Sequence, residues 1–265
     1  MIKLGFPIID LHTHLRNNIT LHTKFAKESG IDVVIYMANS SPPLDNLRTI
    51  KKSLKEKRYC RTIPVSAITK NLAGKEVVDI EKIKPYVVGF SDDGKCLSDL
   101  NILKYLLSRN VLVFAHLEPE IKMLKKYLNV FSSTGGHLHF QHISKKESIN
   151  LIKLAKKDGL KITCETCPHY FTYSRKNLET KVNPPLASEE DISAIERGLA
   201  DGTIDVIASD YAPPPRKTGI SGFKSFLPLS YGLVLNSVLT REQLKEKIYL
   251  NPRKIIAKGN YKIRI

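Results

Sequence analysis

Residues 8–16 read IIDLHTHLR. Apolar and β-branched positions lead into His12 and His14, and side chains two apart on a strand share a face. The pair can therefore grip one ion. Asp10 and Arg16 have the same parity, with the strand expected to end near His14 and Arg16 to fall in the loop beyond it. Zinc binds neutral imidazole readily and a catalytic zinc keeps open positions, so a strand-end pair is a suitable start for activating water. His-x-His alone is weak evidence and more often marks two ordinary polar residues, so the rest of the chain has to decide.

Working outward, DVVIYMAN over 32–39 reads as a second, buried strand, and Pro42-Pro43 break the chain before a helix over 44–57. Strands are expected at 61–69, 86–90, 111–116, 137–143, 161–167 and 205–209. Helices are expected at 20–28, 79–84, 100–108, 120–128, 145–157, 188–199, 241–250 and 252–257. Ser98 or Asp99 suits the cap of the helix at 100, and Ser144 to Glu147 form a plausible capping arrangement before the helix at 145. Eight apolar strands alternating with helices make a parallel (β/α)8 TIM barrel of the α/β class. The 265 residues match the ~250 that such a barrel needs. A doubly wound open sheet is the rival, but no glycine-rich phosphate loop follows the first strand. With no linker, repeat or low-complexity tract, residues 1–265 are expected to form one domain.

Composition narrows the class. A hydrophobic content of 42% and a charged content of 26% are globular values. No run of about 18 apolar residues and no signal-peptide pattern is present, so a soluble, cytoplasmic protein is expected. Four scattered cysteines do not make a disulfide framework. CETC (164–167) has no second cysteine pair to complete a structural zinc site, which favours core cysteines. The net charge of +16 raises the question of nucleic acid. Its lysines are spread over the predicted helices without interleaved aromatics, however, and read as a solvated outer ring. Neither a nucleic-acid nor a membrane partner is expected.

In such a barrel the active site lies at the C-terminal ends of the strands. There the sequence offers His12 and His14 after strand one, Asp92 and Asp93 after four, His116 after five, His142 after six, His169 after seven and Asp210 after eight. Scattered in sequence, they converge on one mouth, with enough ligands for two divalent ions. His139, three residues before His142, should point the other way on an ideal strand and so pack or support a ligand.

The segments DLHTHLR, GFSDDG, FAHLE, HFQHISKKES, ETCPHYF, VNPPL, DGTIDVIASDYAP and GISGFKSFLPL together resemble the successive blocks of dihydroorotases, in the family's order, from residue 10 to about residue 230. The resemblance implies a metal-dependent cyclic amidohydrolase interconverting N-carbamoyl-L-aspartate and L-dihydroorotate, with two zinc ions. By position, His12, His14 and Asp210 would hold the first and His116 and His142 the second. Asp93 would be the bridging ligand, as in the branch that uses an aspartate in place of a carboxylated lysine; Lys95 lies beyond the strand and is rejected for that part. Asp210 would carry the proton. Arg16 and Asn39 would bind the substrate carboxylate, a pair that separates this reading from hydantoinases and allantoinases, and Asn183 would contact the ring.

The chain departs from the family pattern at several places. Asn17-Asn18-Ile19 follow Arg16 where relatives carry a different loop; Pro214 stands where the family has a histidine, and Ala187 where it has an arginine. Arg216 or Lys217 could compensate. The β-sandwich common in relatives is expected to be absent, leaving a bare barrel. Three readings follow: an active dihydroorotase, a related amidohydrolase for another acidic ureido or cyclic amide compound, or a scaffold subunit for aspartate transcarbamoylase. The intact ligand set argues against the last. A homo-oligomer is compatible with all three.

Overall fold

The computed structural model describes residues 4–176, 181–213 and 219–261. Its strands are β1 (Ile9–Thr13), β2 (Val33–Tyr36), β3 (Arg61–Ser66), β4 (Gly89–Phe90), β5 (Leu112–Ala115), β6 (His137–Phe140), β7 (Thr163–Thr166) and β8 (Val206–Ile207). They pair in parallel in the order β1 to β8. The ring closes where Thr13 bridges Tyr211. There the His14 amide donates to the Tyr211 carbonyl at 2.8 Å, and the Ser209 amide donates to Asp10 Oδ1 at 2.9 Å. The expected barrel is formed.

Around it lie α1 (Ile19–Glu28), α2 (Leu47–Leu54), α3 (Ile80–Ile83), α4 (Leu100–Ser108), α5 (Glu120–Thr134), α6 (Lys146–Lys157), α7 (Pro168–Thr172), α8 (Glu189–Ala200), α9 (Phe223–Leu235), α10 (Arg241–Lys245) and α11 (Asn251–Ile256). Among the described residues no helix is long and apolar enough to cross a membrane.

Strand alternation sorts the core into two layers. Ile9, Leu11, Val33, Ile35, Ile63, Val65, Leu112 and Phe114 pack together inside the barrel. Their neighbours Val34, Tyr36, Val113, Ala115, Leu138 and Phe140 meet the helices, against Ile50, Leu103, Leu124 and Ile152. Strands buried on both faces read as continuous apolar runs, which is why DVVIYMAN was legible.

Several elements differ from the sequence reading. The helix α5 runs six residues past 128, because Phe131 extends the buried face of Leu124 and Tyr127, and it ends where Gly135 takes φ 69°. The helices α7 and α9 were not expected; Pro228 lies inside α9, where proline ordinarily marks a helix end. The cap expected from Ser144 and Glu147 does not form. Helix α6 begins after Lys145 without a side-chain cap. Ser144 Oγ donates instead to Glu120 Oε2 at 2.6 Å, and Glu120 also accepts from the backbone amides of Ser144 and Lys145. Glu147 pairs with Lys125 at 2.8 Å. The backbone just before α6 is thus held by the first turn of α5, which fastens two neighbouring helices at one end of the barrel.

Glu120→Ala leaves these buried donors unpaired and is expected to cost about 2 kcal/mol of stability, read as a lower urea midpoint at unchanged slope.

Candidate metal centre

Strand β1 carries an irregularity just before its histidines. Asp10 pairs with Val34 and Thr13 with Tyr36, so three steps on β1 oppose two on β2. Such a bulge re-aims the side chains that follow it. His12 and His14 keep a common side, their ring centres 5.2 Å apart. Parity counted back through the bulge does not hold, and Asp10 stays at the β1–β8 seam on the amides of Ser209 and His12. Burial without a cationic partner pushes Asp10 up to about 7.

After β4 come two acids with different environments. Asp92 accepts from the backbone amides of Ile68 and Thr69, at 2.8 and 3.0 Å, and from the Thr69 hydroxyl, tying the end of β4 to β3. Asp93 turns to the histidines. Its Oδ1 lies 3.4 Å from His12 Nε2, 3.4 Å from His116 Nδ1 and 3.8 Å from His142 Nε2. Its Oδ2 lies 3.3 Å from His14 Nε2. Asp210 Oδ1 faces the first pair, 3.0 Å from His14 Nε2 and 3.6 Å from His12 Nε2. Two buried groups result, His12 with His14 and Asp210, and Asp93 with His116 and His142. Lys95 is exposed and takes no part.

Backbone geometry helps to assemble them. Arg16, His142 and Asp210 have φ of 49°, 36° and 46°, a region costly for residues with a Cβ and found where a site over-determines its backbone. Strand alternation would send His142 outward with Leu138 and Phe140. Beyond the end of β6, its positive φ brings it back to the mouth, where its Nε2 stands 2.8 Å from His116 Nδ1.

A layer of acceptors beneath fixes which nitrogen each imidazole presents. Glu165 Oε1 accepts from His12 Nδ1 at 2.6 Å and Asn39 Oδ1 from His14 Nδ1 at 2.9 Å, leaving both Nε2 atoms facing Asp93 and Asp210. Glu165 also bonds His139 Nε2, at 3.1 Å, and His139 Nδ1 meets Thr163 Oγ1. His139 therefore sits below the site, on the carboxylate that orients His12. Glu165 was missed in the sequence, where the segment KITCETC drew attention to its cysteines; an acid within an apolar strand signals a buried acceptor that needs a donor.

The charges explain the proton positions. Burial alone would lower His12, but Asp93, Asp210 and Glu165 hold it well above its ordinary range. Burial would raise these carboxylates; the imidazoles override it, holding Asp93 and Asp210 well below the usual range and Glu165 at about 2. Asp93 Oδ1 and His116 Nε2 find no hydrogen-bond partner among the described residues. Clustered imidazoles, buried carboxylates and an orphaned carboxylate oxygen between them fit a divalent metal.

Above this cluster opens a pocket whose wall includes Arg16, Asn39, Asn183 and Asp210. Arg16 is half-buried, and Asn183, exposed, donates to Glu118 Oε2 at 2.9 Å. Ala187 is fully buried and bridges Ser174. Pro214, Arg216 and Lys217 lie outside the described residues. His169 is buried beside Tyr170.

No family profile matches the chain. Among curated proteins it is 33% identical to the dihydroorotase of Endomicrobium trichonymphae and 32% identical to that of Acetivibrio thermocellus, in each case over 96% of this chain and 74% of the relative. The chain belongs to the dihydroorotase family. Its members are metal-dependent cyclic amidohydrolases. Solved structures agree on the fold. The L-hydantoinase (dihydropyrimidinase) of Arthrobacter aurescens superposes with a TM-score of 0.84 at 18% identity, over 94% of this chain and 70% of that one. The inactive dihydroorotase-like domain of the Chaetomium thermophilum CAD-like multifunctional protein gives 0.75 at 20% identity, over 94% and 79%.

Two outcomes are expected for this dihydroorotase-family centre. Glu165→Gln weakens metal binding roughly 10- to 100-fold by loosening His12, as read by competition with a chelator. Protonated His12 stabilises the metal-free protein fully below its ordinary 6.5, and that contribution is lost as pH rises through the raised folded value. As a metal ligand His12 would have to shed this proton, so metal affinity is expected to rise with pH and binding to release protons, measurable by calorimetry in buffers of different ionisation enthalpy.

Proposed function

We propose that this chain is a zinc-dependent dihydroorotase, interconverting N-carbamoyl-L-aspartate and L-dihydroorotate in pyrimidine synthesis, with residues 1–265 acting as one catalytic barrel. The observation that carries the reading is Asp93, buried within 3.8 Å of four imidazoles, with Asp210 on the first pair and Arg16 at the pocket wall. Family membership supports the substrate. His12, His14 and Asp210 would hold one zinc and His116 and His142 the other, with Asp93 shared. Bound zinc supplies a water acidic enough to react near neutral pH and polarises the ring carbonyl.

The remaining work falls to the protein's own groups. Arg16 offers a planar fork to the substrate carboxylate, and a charge-assisted pair of this kind fixes orientation as well as affinity. Asn39 could serve twice, since its Oδ1 is engaged by His14 and the residue lines the same pocket. Asn183 would meet the ring, on releasing Glu118. In ring opening Asp210, ionised at neutral pH, takes the proton from the attacking water and delivers it to the leaving amide nitrogen. In ring closure it removes that nitrogen's proton. Its place at the mouth, beside the histidines and facing the pocket, suits both directions.

Cyclisation of N-carbamoyl-L-aspartate by the purified, zinc-loaded protein tests the reading. Turnover is expected, and Asp210→Asn should reduce kcat by at least ~100-fold. Arg16→Ala should lose roughly one to two orders of magnitude in kcat/KM, the worth of one charge-assisted contact. A zinc-loaded protein inert toward both carbamoyl aspartate and dihydroorotate would sink the assignment.

A further inference from the structure

At the same mouth, two side chains with no part in the chemistry above, Cys167 and His169, stand beside Asp210, which has one. Cys167, His169 and Asp210 bring a sulfur, an imidazole nitrogen and a carboxylate oxygen within 4.8 Å of one another, and all three residues are buried. The sequence places them locally: Cys167 follows β7 as the residue before α7, and His169 lies in the first turn of that helix. Only 3% of His169 is exposed. Its Nε2 nevertheless finds no hydrogen-bond partner among the described residues. A buried nitrogen that serves only packing is normally paired, because leaving it unpaired costs about 1–3 kcal/mol. Cys164 gives the contrast, since its thiol is accounted for by a bond to the Thr203 carbonyl at 3.4 Å.

The donor set is chemically coherent. A thiolate and a carboxylate neutralise a divalent ion, a neutral imidazole adds the third bond, and sulfur selects zinc, cobalt or cadmium over magnesium or calcium. Ligand atoms around tetrahedral zinc stand about 3.5 Å apart, so a modest contraction of the observed group closes on an ion. Asp210 Oδ1 is directed at His12 and His14, and a carboxylate has a second oxygen to offer.

The geometry points to a further metal site, formed by Cys167, His169 and Asp210, for a thiophilic divalent ion. It shares Asp210 with the His12 and His14 group and has no member in common with Asp93, His116 and His142. On binding, the Cys167 S–H bond breaks, its proton leaves to solvent and the sulfur bonds the ion. The inference rests on the proposed function for one consequence alone: filling the site draws on the carboxylate that carries the proton, so excess metal slows turnover.

The test is cobalt titration of the full, metal-stripped chain, followed by absorption. The expected result is a thiolate-to-cobalt charge-transfer band in the near ultraviolet, retained in Cys164→Ser, lost in Cys167→Ser and shifted to higher cobalt in His169→Gln. Absence of the band from the parent protein at saturating cobalt overturns the site without recourse to any variant. Persistence of the band in a folded Cys167→Ser, judged by its melting transition, overturns it equally. The band does not depend on turnover. A protein with the band but without cyclisation keeps this site and loses the dihydroorotase reading, and cyclisation without the band does the reverse.

Discussion

Buried negative charge is the constraint on which the rest of this molecule depends. Asp93, Asp210 and Glu165 are enclosed at one end of the barrel with no lysine or arginine bonded to them in the described structure, only imidazoles. Carboxylates so enclosed must be neutralised by protons on histidine or by metal. The surrounding structure maintains that demand. The amides that hold Asp92 leave Asp93 to the histidines, and Glu165 and Asn39 take the Nδ1 side of His12 and His14. The strained backbones of His142 and Asp210 complete the enclosure.

The barrel was legible in the sequence because its strands are buried on both faces and alternate with helices that show a second period. Most mouth residues were legible too, since a polar side chain at the end of an apolar run has few other places to go. What the sequence hid were interactions between distant segments. A capping pattern at Ser144 was redirected to Glu120, 24 positions away. The helix around Pro228 was hidden because a local rule was overridden by the packing of Phe223, Phe226, Leu227 and Leu233.

Parity arguments failed wherever the chain left regular strand geometry. The bulge in β1 separates Asp10 from the histidines it seemed to accompany, and His142 reaches the mouth only through its positive φ. For His139 the parity argument led to a supporting part, and the structure places it on Glu165, but the acid itself was not noticed. The resemblance implied a grouping of His12, His14 and Asp210 apart from His116 and His142 that spacing alone left open, and these residues lie in those groups. The part of Glu165 depends on ring closure, which leaves only β8 between β7 and β1 and brings the acid to His12, 153 positions away in sequence.

The seam between β1 and β8 carries one more consequence. His12 lies in the first strand, His14 just beyond it and Asp210 just beyond the last, so His14 and Asp210 meet across 196 positions of chain at the joint that closes the ring. Contacts of such separation are entropically expensive to form. The barrel's final join and its candidate metal centre are therefore the same place. An ion held there would act as a rivet, and a chain whose β1 and β8 have not met has neither a finished wall nor an assembled candidate site.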